Sequence, residues 1–296
     1  MKKQTGFTLV ELMIASLISM FLITGIMNLF ITTNRTVTLS DALSQNQETG
    51  RFAMDYLTRF IRNAGYSQNS TLSPPAMMIP NVNPDFSFSC TAGSTQAEAC
   101  STNNPDADTV LGDRLSIVYV TSATTETRSC SGRVVGGTGG GAAAGEQRLA
   151  DVFWVSNEAD SIRELRCRTY DVAADSWLDN SAISIINNVQ AFEVQIGLAT
   201  SDTDKSASRY TSIENVISEV ANKRIRSIRV AILTTSTDNL DDGLMQTQKK
   251  VRHYGVLDGP QLTDGDKPLS FDDGSLRNLF ISTIELPGFI EGAMLN

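Results

Sequence analysis

Between residues 7 and 34 the chain carries one charged side chain, Glu11. It has no proline before Pro74, a single histidine, His253, and four cysteines with no CxxC pair among them. Each scarcity excludes something. Without proline, nothing forces a break in a helix from residue 7 to about residue 64. With one histidine and no CxxC pair, the usual zinc spacings are missing, so no metal site is expected at the cysteines. The glycine run Gly136-Gly-Thr-Gly-Gly-Gly141 lacks the Gly-Lys-Ser/Thr ending of a phosphate-binding loop and reads as a flexible surface loop. No GxSxG elbow is present. His253, in Val251-Arg-His-Tyr-Gly255, has no partner base or nucleophile in view and reads as a surface or strand histidine. The chain is therefore expected not to be an enzyme, with no catalytic residue and no cofactor.

Charge is also one-sided. The 296 residues contain 33 acidic and 24 basic side chains, for a formal net charge of −9. An acidic surface argues against nucleic-acid binding through phosphates. It equally argues against docking on anionic lipid by anything except an apolar helix. Three acidic clusters, Asp238-Asn-Leu-Asp-Asp-Gly243, Asp264-Gly-Asp266 and Asp272-Asp-Gly274, could offer oxygens to calcium. None has the full EF-hand spacing, and turn chemistry accounts for Asp-Gly without a metal.

What the chain does have is a long apolar run. Residues 7–31 cover roughly 37 Å as a helix, enough to cross a hydrocarbon core of about 30 Å. The run is too long for the core of a cleavable secretory signal, and no small-x-small site follows it. Lys2 and Lys3 precede it and no lysine or arginine follows closely, which keeps the N-terminus cytoplasmic and sends residues 35–296 outward. A carboxylate inside such a span costs about 2.5–3.5 kcal/mol at mid-depth and less near the interface. Glu11 is therefore expected to have a use.

Met1-Lys-Lys-Gln-Thr-Gly6 followed by Phe7-Thr-Leu-Val-Glu11-Leu-Met13 resembles the processing site of type IV prepilins and of type II secretion pseudopilins. The resemblance implies that a prepilin peptidase cuts between Gly6 and Phe7 and methylates the new amino group of Phe7. It also implies that Glu11 meets the N-terminal ammonium of a neighbouring subunit during assembly. Physics is compatible with this, because a buried carboxylate is tolerable when paired with a cation. Loss of residues 1–6 removes Lys2 and Lys3 and takes the formal charge from −9 to −11.

A second apolar stripe follows a polar stretch over residues 32–50. Phe52, Ala53, Tyr56, Leu57, Phe60, Ile61 and Ala64 recur at the spacing of one helix face. Arg51, Asp55, Arg59 and Arg62 lie on the other side, with Asp55 and Arg59 one turn apart. Gly65 is placed to end the helix, and Gly25 and Gly50 are soft points within it. The segment from Glu48 to Tyr66, with Asn187–Gly197 and Ile225–Leu233, resembles minor pilins of the PilW type.

The expected fold is α+β: a long N-terminal helix, apolar in its first half and amphipathic in its second, packed on a mainly antiparallel sheet. The expected divisions are a leader at 1–6, a membrane or filament-core helix at 7–31, an amphipathic helix at 32–65 and a β-rich periplasmic head at 66–296. Residues 67–113 read as loop, with five of the eight prolines. Strands are expected at 115–121, 151–156, 165–170, 192–198, 225–234 and 279–286. A helix is expected at 213–221, with Ser212 as its N-cap. An outward location is oxidising, so the four cysteines are expected in disulfides. Three pairings are open, and the local one, Cys90–Cys100 with Cys130–Cys167, is favoured by proximity.

The resemblance implies a minor pilin acting in type IV pilus (fimbrial) assembly and twitching motility, in a tip or priming complex. Its implied partners are other minor pilins, the major pilin, the prepilin peptidase, the inner-membrane assembly platform and the membrane itself. It would lie in the inner membrane before assembly and on the pilus afterwards. A type II secretion pseudopilin of the GspJ kind, and a pilus-tip adhesin using residues 67–145, are the alternatives.

Overall fold

The computed structural model describes residues 6, 8–67, 77–79, 90, 95–103, 112–139, 141, 144–156, 163–201, 203–213, 215–216, 225–236, 252–254, 269–271 and 275–286, with 252–254 and 269–271 as backbone only. One helix, α1 (Leu9–Ile61), runs for 53 residues without interruption. At 1.5 Å per residue it is about 80 Å long. It is long and apolar enough to cross a membrane, and its apolar window buries nothing within the chain. The hydroxyls of Ser19, Thr24, Thr32 and Thr33 each donate to the carbonyl four residues back at 2.8 Å. Bonded this way, they present no unsatisfied donor to lipid.

The second half of α1 is one-sided. Ala42, Asn46, Gly50, Ala53, Leu57, Phe60 and Ile61 are its buried residues. Burial of Leu57, Phe60 and Ile61 contributes roughly 1.5–3 kcal/mol apiece. Phe52, expected on this face, is instead 51% exposed, because the buried arc is centred on Ala53, Leu57 and Ile61 and leaves Phe52 at its rim. Among the described residues no ion pair joins Asp55 to Arg59, whereas Arg133 pairs with Asp179 and Arg166 with Glu164. Helical geometry stops at Ile61, one turn before the expected end, with Arg62 as C-cap. Gly65 still serves the ending: it takes φ of 71° and its N–H donates to the Val118 carbonyl at 2.8 Å.

Among the described residues thirteen strands follow. They are β1 (Leu115–Val120), β2 (Glu126–Arg128), β3 (Val134–Gly136), β4 (Arg148–Val155) and β5 (Glu164–Asp171). After them come β6 (Ser176–Trp177), β7 (Ile183–Asn187), β8 (Val189–Leu198), β9 (Arg209–Ser212) and β10 (Ile225–Thr235). β11 (Arg252–Tyr254), β12 (Leu269–Phe271) and β13 (Arg277–Glu285) are the last of the described strands. One sheet has the order β1-β4-β5-β6, with β7 also on β5; a second has the order β13-β10-β8-β9. Two short ribbons pair β2 with β3 and β11 with β12, and every strand pair is antiparallel. Ile228, Val230 and Ile232 of β10 join Phe192, Val194 and Ile196 of β8, Phe153 of β4 and Leu57 and Ile61 of α1 in the main core.

The two sheets are joined at Gly112-Asp113. The Asp113 N–H donates to the Phe192 carbonyl at 2.6 Å, and the Asp113 carboxylate accepts from the Val194 N–H at 2.8 Å. Gly112 has φ of 96°, and a Cβ there would lie 2.0 Å from the Phe192 oxygen. Gly50 is not a soft point. A Cβ there would lie 2.0 Å from the Phe280 ring, so this glycine lets β13 approach the helix. Gly25 has open space around it.

The glycine run is not loop throughout. Gly136 closes β3, Gly136 and Gly137 are buried, and the Gly137 N–H donates to the Ser122 carbonyl at 2.8 Å. Of the expected helix at 213–221, Ile213, Asn215 and Val216 are helical and 217–221 lie outside the described residues. Ser212 ends β9 and accepts from the Asn215 side chain at 3.1 Å. Most of 67–113 also lies outside the described residues, but its described part contains the 3-10 turn Thr95–Ala99 and the fully buried Met77, Met78 and Ile79.

Gly112→Ala meets both a backbone clash and an unfavourable φ, so it is expected to lower unfolding stability by about 2 kcal/mol or more. Thermal denaturation of the full chain in detergent checks this. Gly25→Ala, run alongside, is expected to leave the head transition where it is.

Candidate assembly site

The N-terminus of α1 is closed by a capping box. Thr8 is the N-cap, and its side-chain oxygen accepts from the Glu11 N–H at 3.3 Å. Glu11 answers with one carboxylate oxygen, which accepts from the Thr8 N–H at 3.0 Å and the Thr8 hydroxyl at 2.9 Å. The reciprocal bonds satisfy donors that a helix start leaves free, and the carboxylate also suits the positive end of the helix dipole. So Glu11 is held by its own chain. Thr8 was legible as its partner, because Thr-x-x-Glu ahead of an apolar run is the signature of the box. Gly6 is exposed with nothing around it, whereas Phe7, the other half of the expected cleavage bond, lies outside the described residues.

At the other end of α1 the head is clipped to the helix through a disulfide loop. Cys130 is bonded to Cys167 of β5 with 6.2 Å between Cα atoms, and Cys90 to Cys100 with 5.9 Å. The Tyr56 hydroxyl of α1 donates to the Cys130 carbonyl. The Cys130 N–H donates to the Asp151 carboxylate of β4 at 3.1 Å, and the other Asp151 oxygen accepts from the Thr169 hydroxyl at 2.8 Å. Rings continue the seam: Tyr56 and Phe60 lie 4.9 Å apart, and Phe60 and Phe153 6.3 Å. One residue of the loop thus ties helix to sheet through both of its backbone polar groups.

Asp151 is fully buried, and burial pushes its carboxyl from 3.8 up to about 7. Hydrogen bonds from Thr169 and from the Cys130 N–H pull the other way, and the Asp179 charge adds to the rise. Tyr119, facing the same carboxylate from β1, is pushed well above the usual phenol range, first by burial and then by the Asp151 charge.

Among the described residues no cluster of three His, Cys, Asp or Glu has the geometry of a metal site. The three acidic clusters at 238–243, 264–266 and 272–274 lie outside the described residues, and of His253 only the backbone, in β11, is described. A helix of membrane length with an acid-capped start, seated on two antiparallel sheets, is the build of a pilin-type subunit.

The family matches agree with that class. Residues 152–288 match the family described as Type IV Pilus-assembly protein W, and residues 1–27 match the Prokaryotic N-terminal methylation motif. These two matches support a PilW-family type IV pilin. Among solved structures it is similar to a type IV-like pilin from Thermus thermophilus, at 15% identity and a TM-score of 0.40, covering 85% of this chain and 98% of that one. No curated protein matches the chain by sequence. The class is structural rather than enzymatic, with a role in the pilus and association with the membrane and other pilus components.

Two predictions follow from the seam. The folded Asp151 binds its proton more tightly than the unfolded group, so the stability it contributes is complete below about pH 4 and is lost as pH rises through about 7. The melting temperature is expected to fall between pH 5 and pH 8, and Asp151→Asn to flatten that slope; an equal slope in the variant contradicts the assignment. Replacing Cys130 and Cys167 together by serine is expected to cost about 2–4 kcal/mol and to raise hydrogen exchange at residues 53–61 of α1.

Proposed function

We propose that the chain is a minor pilin which enters type IV pilus assembly or priming, within a tip complex of other minor pilins. The observation that carries this is the acid-capped start of a helix whose first half is apolar and otherwise uncharged, beside the methylation-motif match. In this reading a prepilin peptidase removes residues 1–6 and methylates Phe7. Before assembly the subunit sits in the inner membrane with its head in the periplasm, next to the assembly platform. Glu11, held by Thr8 in the lone chain, then exchanges a donor of its own for the ammonium of a neighbouring pilin.

That exchange keeps the carboxylate partnered. The capping bonds are replaced by an ion pair in low dielectric, where an isolated carboxylate would be strongly disfavoured. The pair also fixes one axial register. After assembly the subunit resides in the pilus, whose major pilin forms the shaft. The disulfides at 90–100 and 130–167 suit an oxidising exterior.

Glu11→Ala is expected to accumulate in membranes and to be missing from sheared pili, with surface pili reduced in number. Wild-type piliation and incorporation of the variant overturn the proposal. Deletion is expected to abolish twitching; normal pili with failed exoprotein secretion would instead move the subunit to type II secretion.

A further inference from the structure

Cys130 and Cys167 are fully buried, and Asp151 and Thr169 beside them are equally closed to solvent. Asp151 of β4 and Thr169 of β5 stand directly opposite each other in the sheet. Cys167 lies two residues from Thr169 and so on the same face of β5. The Thr169 hydroxyl donates to Asp151 Oδ1 at 2.8 Å, and its oxygen lies 3.8 Å from the Cys130 Sγ. A threonine hydroxyl has one proton to give and lone pairs to accept another. With its proton committed to Asp151, it faces the Cys130 sulfur as an acceptor. A reduced Cys130 thiol therefore completes a line from Sγ through Oγ1 to Oδ1. The second Asp151 oxygen accepts from the Cys130 N–H at 3.1 Å and holds the cysteine at the end of that line. A disulfide can be buried among apolar side chains alone, without the cost of a carboxylate.

We propose that Asp151, acting through Thr169, is the proton acceptor for closing the Cys130–Cys167 disulfide, and that this closure locks the head to α1. The lock is the Tyr56 hydroxyl of α1, which donates to the Cys130 carbonyl. Buried sulfurs cannot meet an outside oxidant, so the Cys130 loop first stands off the sheet. Cys167, fixed on β5, then exchanges with an outside disulfide (R–S–S–R), forming a mixed disulfide and releasing one R–SH. As the loop settles, the Cys130 thiol passes its proton through Thr169 to the Asp151 carboxylate. The thiolate attacks the Cys167 sulfur, forms the Cys130–Cys167 bond and expels the second R–S⁻, which takes a proton from water. The proton on Asp151 re-equilibrates with solvent. Two thiols lose two electrons, and one R–S–S–R is reduced to two R–SH.

An ordinary thiol titrates at about 8.5 and is only a few per cent thiolate at neutral pH. A carboxyl pushed by burial up to about 7 is matched to take its proton there. The groups facing Asp151 are Tyr119 from β1, Asp179 beyond β6, which pairs with Arg133, and Tyr56 from α1, with Arg59 behind it. Both phenols are pushed upward, so they stay protonated at neutral pH and cannot take the thiol's proton.

Full-length protein is reduced in mild denaturant, returned to detergent buffer and mixed with glutathione disulfide at a series of pH values. Each disulfide is followed by alkylation and peptide mass spectrometry, with Cys90–Cys100 of the same chain as the reference. Closure of Cys130–Cys167 is expected to level off above about pH 7, and the reference to keep rising to about pH 8.5. Asp151→Asn is expected to slow Cys130–Cys167 closure roughly tenfold or more at neutral pH and to give it the pH profile of the reference. Thr169→Val, which removes the hydroxyl and keeps the carboxylate, is expected to do the same, and Thr169→Ser to restore the rate. If Asp151→Asn does not refold, Thr169→Val decides. A wild-type rate and pH profile in Thr169→Val overturn the proposal. Equal slowing of both disulfides also overturns it, because that marks a general folding defect. Amide exchange at Tyr56 that is the same with Cys130–Cys167 open and closed overturns the lock.

Discussion

One face of one helix holds the head in place. Ala53, Leu57, Phe60 and Ile61 of α1 are buried against β4, β8 and β10, and the same helix continues unbroken down to its cap at Thr8. Because no proline interrupts it, a force or rotation applied at the apolar half reaches the head through a continuous ladder of backbone hydrogen bonds. The two halves answer to different solvents. The first is apolar all round and buries nothing within the chain, while the second buries one arc and exposes the rest. Separate segments joined by a loop could satisfy both solvents but would not fix the head relative to the membrane half.

The seam between helix and head uses small and polar residues as much as apolar ones. Asn46 donates to the Leu276 carbonyl at 3.3 Å and accepts from the Thr234 hydroxyl, and Gly50 admits the Phe280 ring. Higher up, Tyr56 reaches the Cys130 carbonyl while Asp151 holds the Cys130 N–H. A carboxylate buried at that depth weakens the fold when charged, and the hydrogen bonds from Thr169 and the Cys130 N–H recover only part of the loss. The disulfide to Cys167 keeps the loop where both bonds can form.

Much of this was legible in the residues. Strict apolar periodicity from Ala53 to Ala64 and the alternating, β-branched strands β1, β8, β10 and β13 announced the two layers. Thr8-x-x-Glu11 has the spacing of a capping box ahead of an apolar run. Other parts carried no apolar signal. The buried face of α1 begins with Ala42, Asn46 and Gly50, whose burial comes from Leu276, Thr234 and Phe280 opposite them. Phe52 looks like core by composition and lies outside by a rotation of about 100° per residue from Ala53. The short strands β2, β3, β6, β7 and β9 are two to five residues long, too short for a period to show. Met77, Met78 and Ile79 form an apolar run between Pro75 and Pro80 that is fully buried inside a stretch whose composition is otherwise that of a loop.

The account stands on the chain being an assembly subunit and not a simple anchor. The most direct measurement is the N-terminal mass of the protein recovered from sheared pili, set beside that from inner membranes. The account predicts a mature chain in the pilus fraction that starts at Phe7 and carries one added methyl group on its amino nitrogen. A protein confined to the membrane fraction, with residues 1–6 still attached, would contradict it.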